Sequence, residues 1–268
     1  QLEAGEMAGK ASRLIDDLPL FAVAAKREGR EPRPSDALAD ALRAIKPDAI
    51  HLDHHFQFVE QDGLGVVLSF HNQRPAACDV AIGADGVHST MRKVLFGRGD
   101  ASFTGIVAWR GLIPMDRLPE RLRNPVGTNW IGPGGHVIHY PIRSGLMNFT
   151  SVVENREWTI ESWSQVGTIE EYLADYPGWH ADVHEYIRNI DTPFRWALFS
   201  RPPMQKWSKG RVTLLGDACH PALPFPAQGA CMAIEDGLVL ARALASYNDP
   251  ETALIRYEEA RIARTSRM

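Results

Sequence analysis

Cysteine is scarce in this sequence. The 268 residues hold three, Cys78, Cys219 and Cys231, and no C-x-x-C pair. An odd count without paired spacing excludes a disulfide framework and a cysteine-built zinc knuckle, so a reducing cytoplasm is the expected setting. Long apolar runs are missing as well. Stretches such as Leu20–Ala25 are far too short to span a bilayer, and no membrane partner is expected. Gln1–Lys10 lacks the basic-then-apolar pattern of a secretion signal. Basic charge is not in excess: 29 Lys and Arg stand against 33 Asp and Glu, a net charge of -4, and no basic stripe stands out. Nucleic acid is therefore not an expected partner. His51 and His55 share one strand face with Asp53, and His180 and His184 lie one helical turn apart. Neither set has a third ligand nearby in sequence, so no metal is expected. G-x-G-x-x-G, the loop that cradles a dinucleotide pyrophosphate, occurs nowhere.

What is present suits a globular protein with a sizeable core: 44% hydrophobic and 23% charged residues. The first residue is Gln and Arg261–Met268 reads as a helix cut mid-run, so a piece of a longer protein is expected. Residues 1–34 suggest a helix and a loop. Ser35 suits the N-cap of a helix to Ile45, stopped by Pro47. Strands are expected at Ala49–Glu60 and Leu64–Phe70, joined by a turn at Asp62-Gly63. Another is expected at Asp79–Gly83, followed by a helix over Ser89–Phe96. Alternation then predicts strands at Gly105–Ile113, Thr128–Ile131, Gly135–Pro141 and Met147–Val153. Helices follow at Ile169–Asp175 and Ala181–Ile190, then a strand at Phe194–Ser200. The last block reads as a buried strand, Arg211–Leu215, a Gly/Pro-rich loop, a helix Gly229–Ala245 with Ile234, Leu238, Ala241 and Ala245 on one face, and a helix Pro250–Arg264.

This order gives an α/β fold in which a Rossmann-like nucleotide-binding domain is interrupted by a second domain, an antiparallel β-sheet. The expected parts are 1–100, the β-rich insert 101–207, and 208–268.

Two strings carry chemistry. In Arg211-Val-Thr-Leu-Leu-Gly-Asp-Ala-Cys-His-Pro221, followed by Pro224 and Gln228-Gly229-Ala230, a buried strand ends at Gly216-Asp217. A carboxylate there can accept from a sugar-type hydroxyl. The helix start at Gly229 offers free N–H groups and the positive end of a dipole, and a residue without a side chain lets a ring approach closely. A bare Gly-Asp would be read as a capped turn; the whole string is more specific. In Asp79-Val-Ala-Ile-Gly-Ala-Asp-Gly-Val-His-Ser-Thr-Met-Arg92, a strand delivers Asp85-Gly86 to a helix capped by Ser89. There Arg92 can reach a phosphate or pair with Asp85.

In this order the two strings resemble the single-component FAD-dependent aromatic hydroxylases, over roughly residues 35–268. The segment Ile131–Ile142 and Glu161-Ser-Trp163 resemble the salicylate and 3-hydroxybenzoate hydroxylase branch. The resemblance implies a monooxygenase that takes hydride from NADH or NADPH onto FAD, captures O2 on the reduced flavin, and hydroxylates a small aromatic acid. It implies that Asp217 binds the ribityl chain, that Gly216, Pro224, Gly229 and Ala230 line the flavin, and that Asp85 and Arg92 support the cofactor. A homodimer is a further expectation. Two departures stand out: the Gly-rich loop is absent, and Ser35 occupies the register of a family Arg.

A phenol hydroxylase needs a group to take or share the phenolic proton. On the strand Gly135–Pro141, His136, Ile138 and Tyr140 share a face, so His136 and Tyr140 are the candidate catalytic residues, with His139 on the other face as the fallback. His220 is expected to orient its loop. Arg110 reads either as a partner for a substrate carboxylate or as a surface residue, and the tryptophans, Trp109 and Trp130 among them, read as core. Alternatives are an epoxidase- or halogenase-like flavoprotein of the same fold, or a remnant that no longer holds FAD.

Overall fold

The computed structural model describes residues 45–46, 49–97, 99, 101–142, 145–155, 165–225 and 227–268. The expected N-terminal helix, its Pro47 stop and Glu161–Trp163 lie outside them, apart from Ile45. In chain order the strands and helices are β1 (Phe56–Gln61), β2 (Val66–Phe70), β3 (Ala76–Cys78), β4 (Ala81–Gly83), α1 (Thr90–Phe96), β5 (Ser102–Pro114), β6 (Thr128–Gly132), β7 (Gly135–Ile142), β8 (Leu146–Glu154), α2 (Ile169–Asp175), α3 (Ala181–Arg188), β9 (Phe194–Ser200), β10 (Ser208–Lys209), β11 (Val212–Leu214), α4 (Gly229–Ser246) and α5 (Pro250–Thr265). The described residues form two compact units, those before residue 100 together with those from 201 onward, and those between 101 and 200.

In the first unit β1, β2 and β3 form an antiparallel meander. Asp62 closes its first hairpin: one carboxylate oxygen accepts from the amides of Leu64 and Gly65 at 2.8 and 3.0 Å. The second sheet runs β10-β11-β4, with β11 parallel to β4. Its core joins Val66, Leu68, Met91, Trp207, Val212, Leu214, Leu254 and Tyr257, all buried. The buried Tyr257 hydroxyl donates to the Leu214 carbonyl at 3.1 Å, which fixes α5 against β11.

The second unit is one antiparallel sheet of order β6-β7-β8-β5-β9 with α2 and α3 on one face. Its core stacks aromatic rings. Trp109 is fully buried, lies flat on Tyr172 at 4.4 Å between centroids, and donates from its indole N–H to Asp175 at 2.8 Å. The core reading of Trp109 holds. Thr168 and Glu171 form a reciprocal capping box that starts α2.

Three expectations need correction. The first strand starts at Phe56 and not Ala49: residues 49–55 are irregular, Asp53 has a φ of 60°, and His51, Asp53 and His55 are exposed, so no apolar face holds them to a sheet. The stretch Asp79–Gly83 is strand only over Ala81–Gly83, with a separate strand, β3, just before it in a different sheet. On α4 the buried stripe is Met232, Asp236, Leu240 and Ala243, whereas Ile234 and Leu238 are exposed. The inner face carries a charged residue, so an apolar count selects the wrong side.

Candidate functional site

Parallel pairing builds the site in the first unit. Val212, Thr213 and Leu214 run beside Ala81, Ile82 and Gly83, and the Leu215 amide donates to the Gly83 carbonyl at 3.0 Å. Both strands therefore release their chains at the same edge, one into Ala84-Asp85-Gly86 and the other into Gly216-Asp217. The carboxyl end of parallel strands is where open α/β sheets bind ligands. Two strings far apart in sequence become neighbours through this one register.

In the first string Asp85 and Ser89 serve the start of α1. One Asp85 carboxylate oxygen accepts from the amides of Thr90 and Met91 at 2.7 and 2.9 Å, and the Ser89 hydroxyl accepts from the Arg92 amide at 2.8 Å. Gly86 takes a φ of 78°, the turn geometry expected of Asp-Gly. Arg92 turns inward. It is buried, and its guanidinium donates to the carbonyls of Ala218 at 2.9 Å and Val87 at 2.7 Å. It thus braces the first string against the second; no Arg92–Asp85 ion pair forms.

In the second string Gly216 adopts a φ of 63°, open to glycine and strained for other residues. Its buried amide donates to Asp236 at 3.1 Å. Asp217, next along, is exposed, and the atoms crowding its inner side push its carboxyl up. Pro224, Gly229 and Ala230 follow on the loop and first turn of α4; Pro224 and Ala230 are exposed and Gly229 is half-buried. A Cβ built on Gly229 would meet one neighbouring atom within 4 Å, an Asp217 carboxylate oxygen at 3.9 Å, so the two line one space. The first turn of α4 contains no acidic residue, and the Gln228 side chain does not cap it. Its leading N–H groups and positive dipole end are left for an anionic or electron-rich ligand. Ala227 holds a φ of 51° where the loop enters the helix.

Behind this space lies a polar network that composition and periodicity did not show. Asp236, wholly buried, accepts from the Gly216 amide, from His220 Nε2 at 2.5 Å and from Arg261 Nε at 2.6 Å. Burial works to raise the Asp236 carboxyl, but the hydrogen bonds from His220 and Arg261 outweigh it and hold the group below its usual range. Arg261 also donates to Glu235 at 2.7 Å, and Arg264 grips Glu235 with two bonds at 2.6 and 2.7 Å. Those two arginines bring Glu235 down to about 2. Cys219, His220 and Asp236 are close enough together to hold a metal ion. The Asp236 oxygens, though, are already taken by Gly216, His220 and Arg261. Nothing in the sequence paired Asp236 with Arg261 on another helix.

In the second unit the register places His136, Ile138 and Tyr140 on the face of β7 away from α2 and α3. Cross-strand neighbours extend that face through Val152, Thr150 and Asn148 on β8 to Ala108, Arg110 and Leu112 on β5. Burial lowers the basicity of His136, which favours the neutral imidazole, a proton acceptor. Tyr140 is 45% exposed. His139 faces the helices. It is 3% exposed, packed among Trp130, Phe149 and Tyr186, and neither ring nitrogen has a hydrogen-bond partner. That placement removes it as a fallback on the β7 face that carries His136 and Tyr140. His180 caps α3 and His184 bonds the Tyr176 carbonyl at 2.7 Å, so both rings have structural uses.

A family model described as an FAD binding domain matches residues 35–268. The chain belongs to this FAD-binding family. It is 40% identical over 232 residues to a 3-amino-4-hydroxybenzoate 2-monooxygenase of Streptomyces platensis, covering 86% of this chain and 58% of that protein. It is 39% identical over 190 residues to 3-hydroxybenzoate 6-hydroxylase 1 of Aquipseudomonas alcaligenes, covering 70% and 48%. The chain thus spans about half the length of these relatives. Among solved structures, Klebsiella pneumoniae HpxO complexed with FAD and uric acid superposes with a TM-score of 0.77 at 28% identity, over 87% of this chain and 59% of that one. The expected fold, an FAD-binding α/β domain interrupted by an antiparallel sheet, is that of these flavoproteins. Among the described residues no helix is long and apolar enough to cross a membrane.

Proposed function

We propose that this chain is part of an FAD-dependent monooxygenase that hydroxylates a small hydroxybenzoate-like ring, with NADH or NADPH and O2 as co-substrates. One observation carries the reading. The parallel β4–β11 pair delivers Asp85 and Asp217 to a single edge, beside an α4 N-terminus that the Gln228 side chain leaves uncapped. The open space at Gly229 and the exposed Asp217 carboxylate fit a flavin bearing a polyhydroxyl chain. Asp217 would accept from ribityl hydroxyls; Gly216, Pro224, Gly229 and Ala230 would line the ring. Asp85 and Arg92 would support the cofactor indirectly, by shaping α1 and bracing the two strings. The bound flavin supplies the hydride-accepting and O2-activating chemistry.

The chain's own residues do the rest. The α4 dipole stabilises negative charge on the ligand it faces. His136, kept neutral by burial, takes the phenolic proton and so raises the nucleophilicity of the substrate ring, with Tyr140 as the neighbouring hydrogen-bonding group. On this reading the β-rich insert, expected over 101–207 and compact over 101–200, is the substrate domain, the protein works in the cytoplasm, and a homodimer is the expected assembly.

The visible absorption spectrum of the purified chain, with and without added FAD, tests the proposal. A flavin band that bleaches on adding NADH or NADPH, faster in the presence of 3-hydroxybenzoate, is expected. A colourless chain that leaves the spectrum of added FAD unchanged would count against flavin binding by these residues.

A further inference from the structure

The face of the second unit's sheet away from α2 and α3, where Ala108 and Val152 are buried and Arg110, Leu112 and Tyr140 are exposed, carries one arginine among the described residues, Arg110. Six arginines of this unit are described, and five are engaged. Arg117 pairs with Asp191 and Arg121 with Asp182; Arg188 lies 3.8 Å from Glu185; Arg123 donates to the carbonyls of Leu118 and Asp116; Arg195 lies between Asp175 and the Trp109 ring. Arg110 is exposed and makes no hydrogen bond or ion pair with a described residue. Arginine on a central strand is an uncommon choice for a surface that needs no charge, because the strand interior favours β-branched and aromatic residues.

Register fixes its neighbours. Arg110 pairs with Thr150 on β8, and Thr150 pairs with Ile138 on β7. The flanking rows are Ala108, Val152 and His136 on one side and Leu112, Asn148 and Tyr140 on the other. Strands lie about 4.8 Å apart, so Arg110 stands roughly 10 Å across the face from β7, between the rows of His136 and Tyr140. The floor between them is mostly apolar, with Thr150 and Asn148 as its polar members. A guanidinium at one side, a proton acceptor at the other and an apolar strip between match a ring that bears a carboxylate and, across the ring, a phenolic hydroxyl. Both relatives named above act on hydroxybenzoates, which carry those two groups.

We propose that Arg110 is the specificity-determining residue that binds the carboxylate of the substrate, placing the ring along the strip toward His136 and Tyr140. This rests on the hydroxylase reading and adds to it the residue that selects an aromatic acid over a neutral phenol. A guanidinium binds a carboxylate through two parallel N–H···O bonds, which a lysine at the same place cannot reproduce.

The test measures binding without the cofactor, so that it is separate from the FAD titration above. Quenching of tryptophan fluorescence gives the affinity of the chain for 3-hydroxybenzoate and for the neutral 3-hydroxybenzamide. The expected result is a preference for the acid of roughly 10- to 100-fold, weakened by salt. Arg110→Gln abolishes the preference while leaving amide binding in place, and Arg110→Lys retains part of it. Circular dichroism checks that each variant is folded, and the lysine variant carries the test if the glutamine variant is not. Equal affinity of the native chain for acid and amide, no binding of either, or an acid preference undiminished in either folded variant would overturn the proposal. Flavin binding that succeeds while the acid preference is absent would sink the Arg110 assignment and leave the hydroxylase reading standing.

Discussion

Replacing Arg261 with methionine probes the buried network behind the candidate site. Methionine keeps much of the side-chain volume and removes the charge. Asp236 is then a wholly buried carboxylate that retains the bonds from Gly216 and His220 and loses the one from Arg261 at 2.6 Å. Removing one partner of a buried ion pair costs about 3–5 kcal/mol. Protonation sets a ceiling, because a carboxyl with an ordinary value of 3.8 can be neutralised at pH 7 for about 4 kcal/mol, at 1.36 kcal/mol per pH unit. The two surviving bonds put the expected loss near 3 kcal/mol, a large share of a typical stability of roughly 5–15 kcal/mol. The pH dependence supplies the sign. In the native chain Asp236 is held below 3.8, so its contribution is present above 3.8 and fades as pH falls through the lowered value. In the variant its pKa is raised, so the penalty grows as pH rises from 3.8 and shrinks on acidification. Urea unfolding followed by circular dichroism should show the gap between native and variant narrowing from pH 7 toward pH 5, by at most about 1.4 kcal/mol per pH unit. Adding Asp236→Asn to Arg261→Met should recover part of the loss at pH 7. A loss below about 1 kcal/mol at pH 7, equal at pH 5, would show that the network carries no buried charge and refute the reasoning.

Other expectations follow from the same geometry. His139→Phe should leave stability unchanged or raise it by about 1–2 kcal/mol, because two buried ring nitrogens without partners are removed. Burial lowers the His139 pKa, so the native protein should lose stability as pH falls below 6.5 toward that lowered value, and the phenylalanine variant should lose less; urea midpoints at pH 7.5 and 5.5 decide this. Gly216→Ala should destabilise by about 1–2 kcal/mol, since the position has a φ of 63° and the new Cβ would lie 3.1 Å from that of Ala233; an unchanged thermal midpoint would contradict it. Asp217→Ala should shift the thermal midpoint little, as the side chain is exposed, yet weaken FAD binding at least about tenfold in a fluorescence titration if the carboxylate holds ribityl hydroxyls.

Much of the fold was legible because its signals are local. Alternation located β5 to β9 to within a few residues, Ser89 caps α1 as expected, and Asp62-Gly63 marks its hairpin. The reading failed where neighbours decide. Residues 49–55 alternate like a strand yet find no sheet, and α4 buries its charged stripe because Arg261 and His220 compensate Asp236. Periodicity weighs polarity and cannot see a partner 25 residues away on another helix.

The candidate site divides in the same way. The sequence by itself determined which residue types are available: the carboxylate of Asp217, the side-chain-free start of α4 at Gly229, the Asp85 turn, and the shared face of His136 and Tyr140, since each depends on spacing along one element. Only the tertiary structure decided what meets what. Parallel pairing of β4 with β11 puts the Asp85 and Asp217 turns at one edge, Arg92 turns from an outward cation into an inward brace, and the order of five strands sets Arg110 across the face from His136. Strand order and register arise from contacts between segments distant along the chain, and no local pattern encodes them.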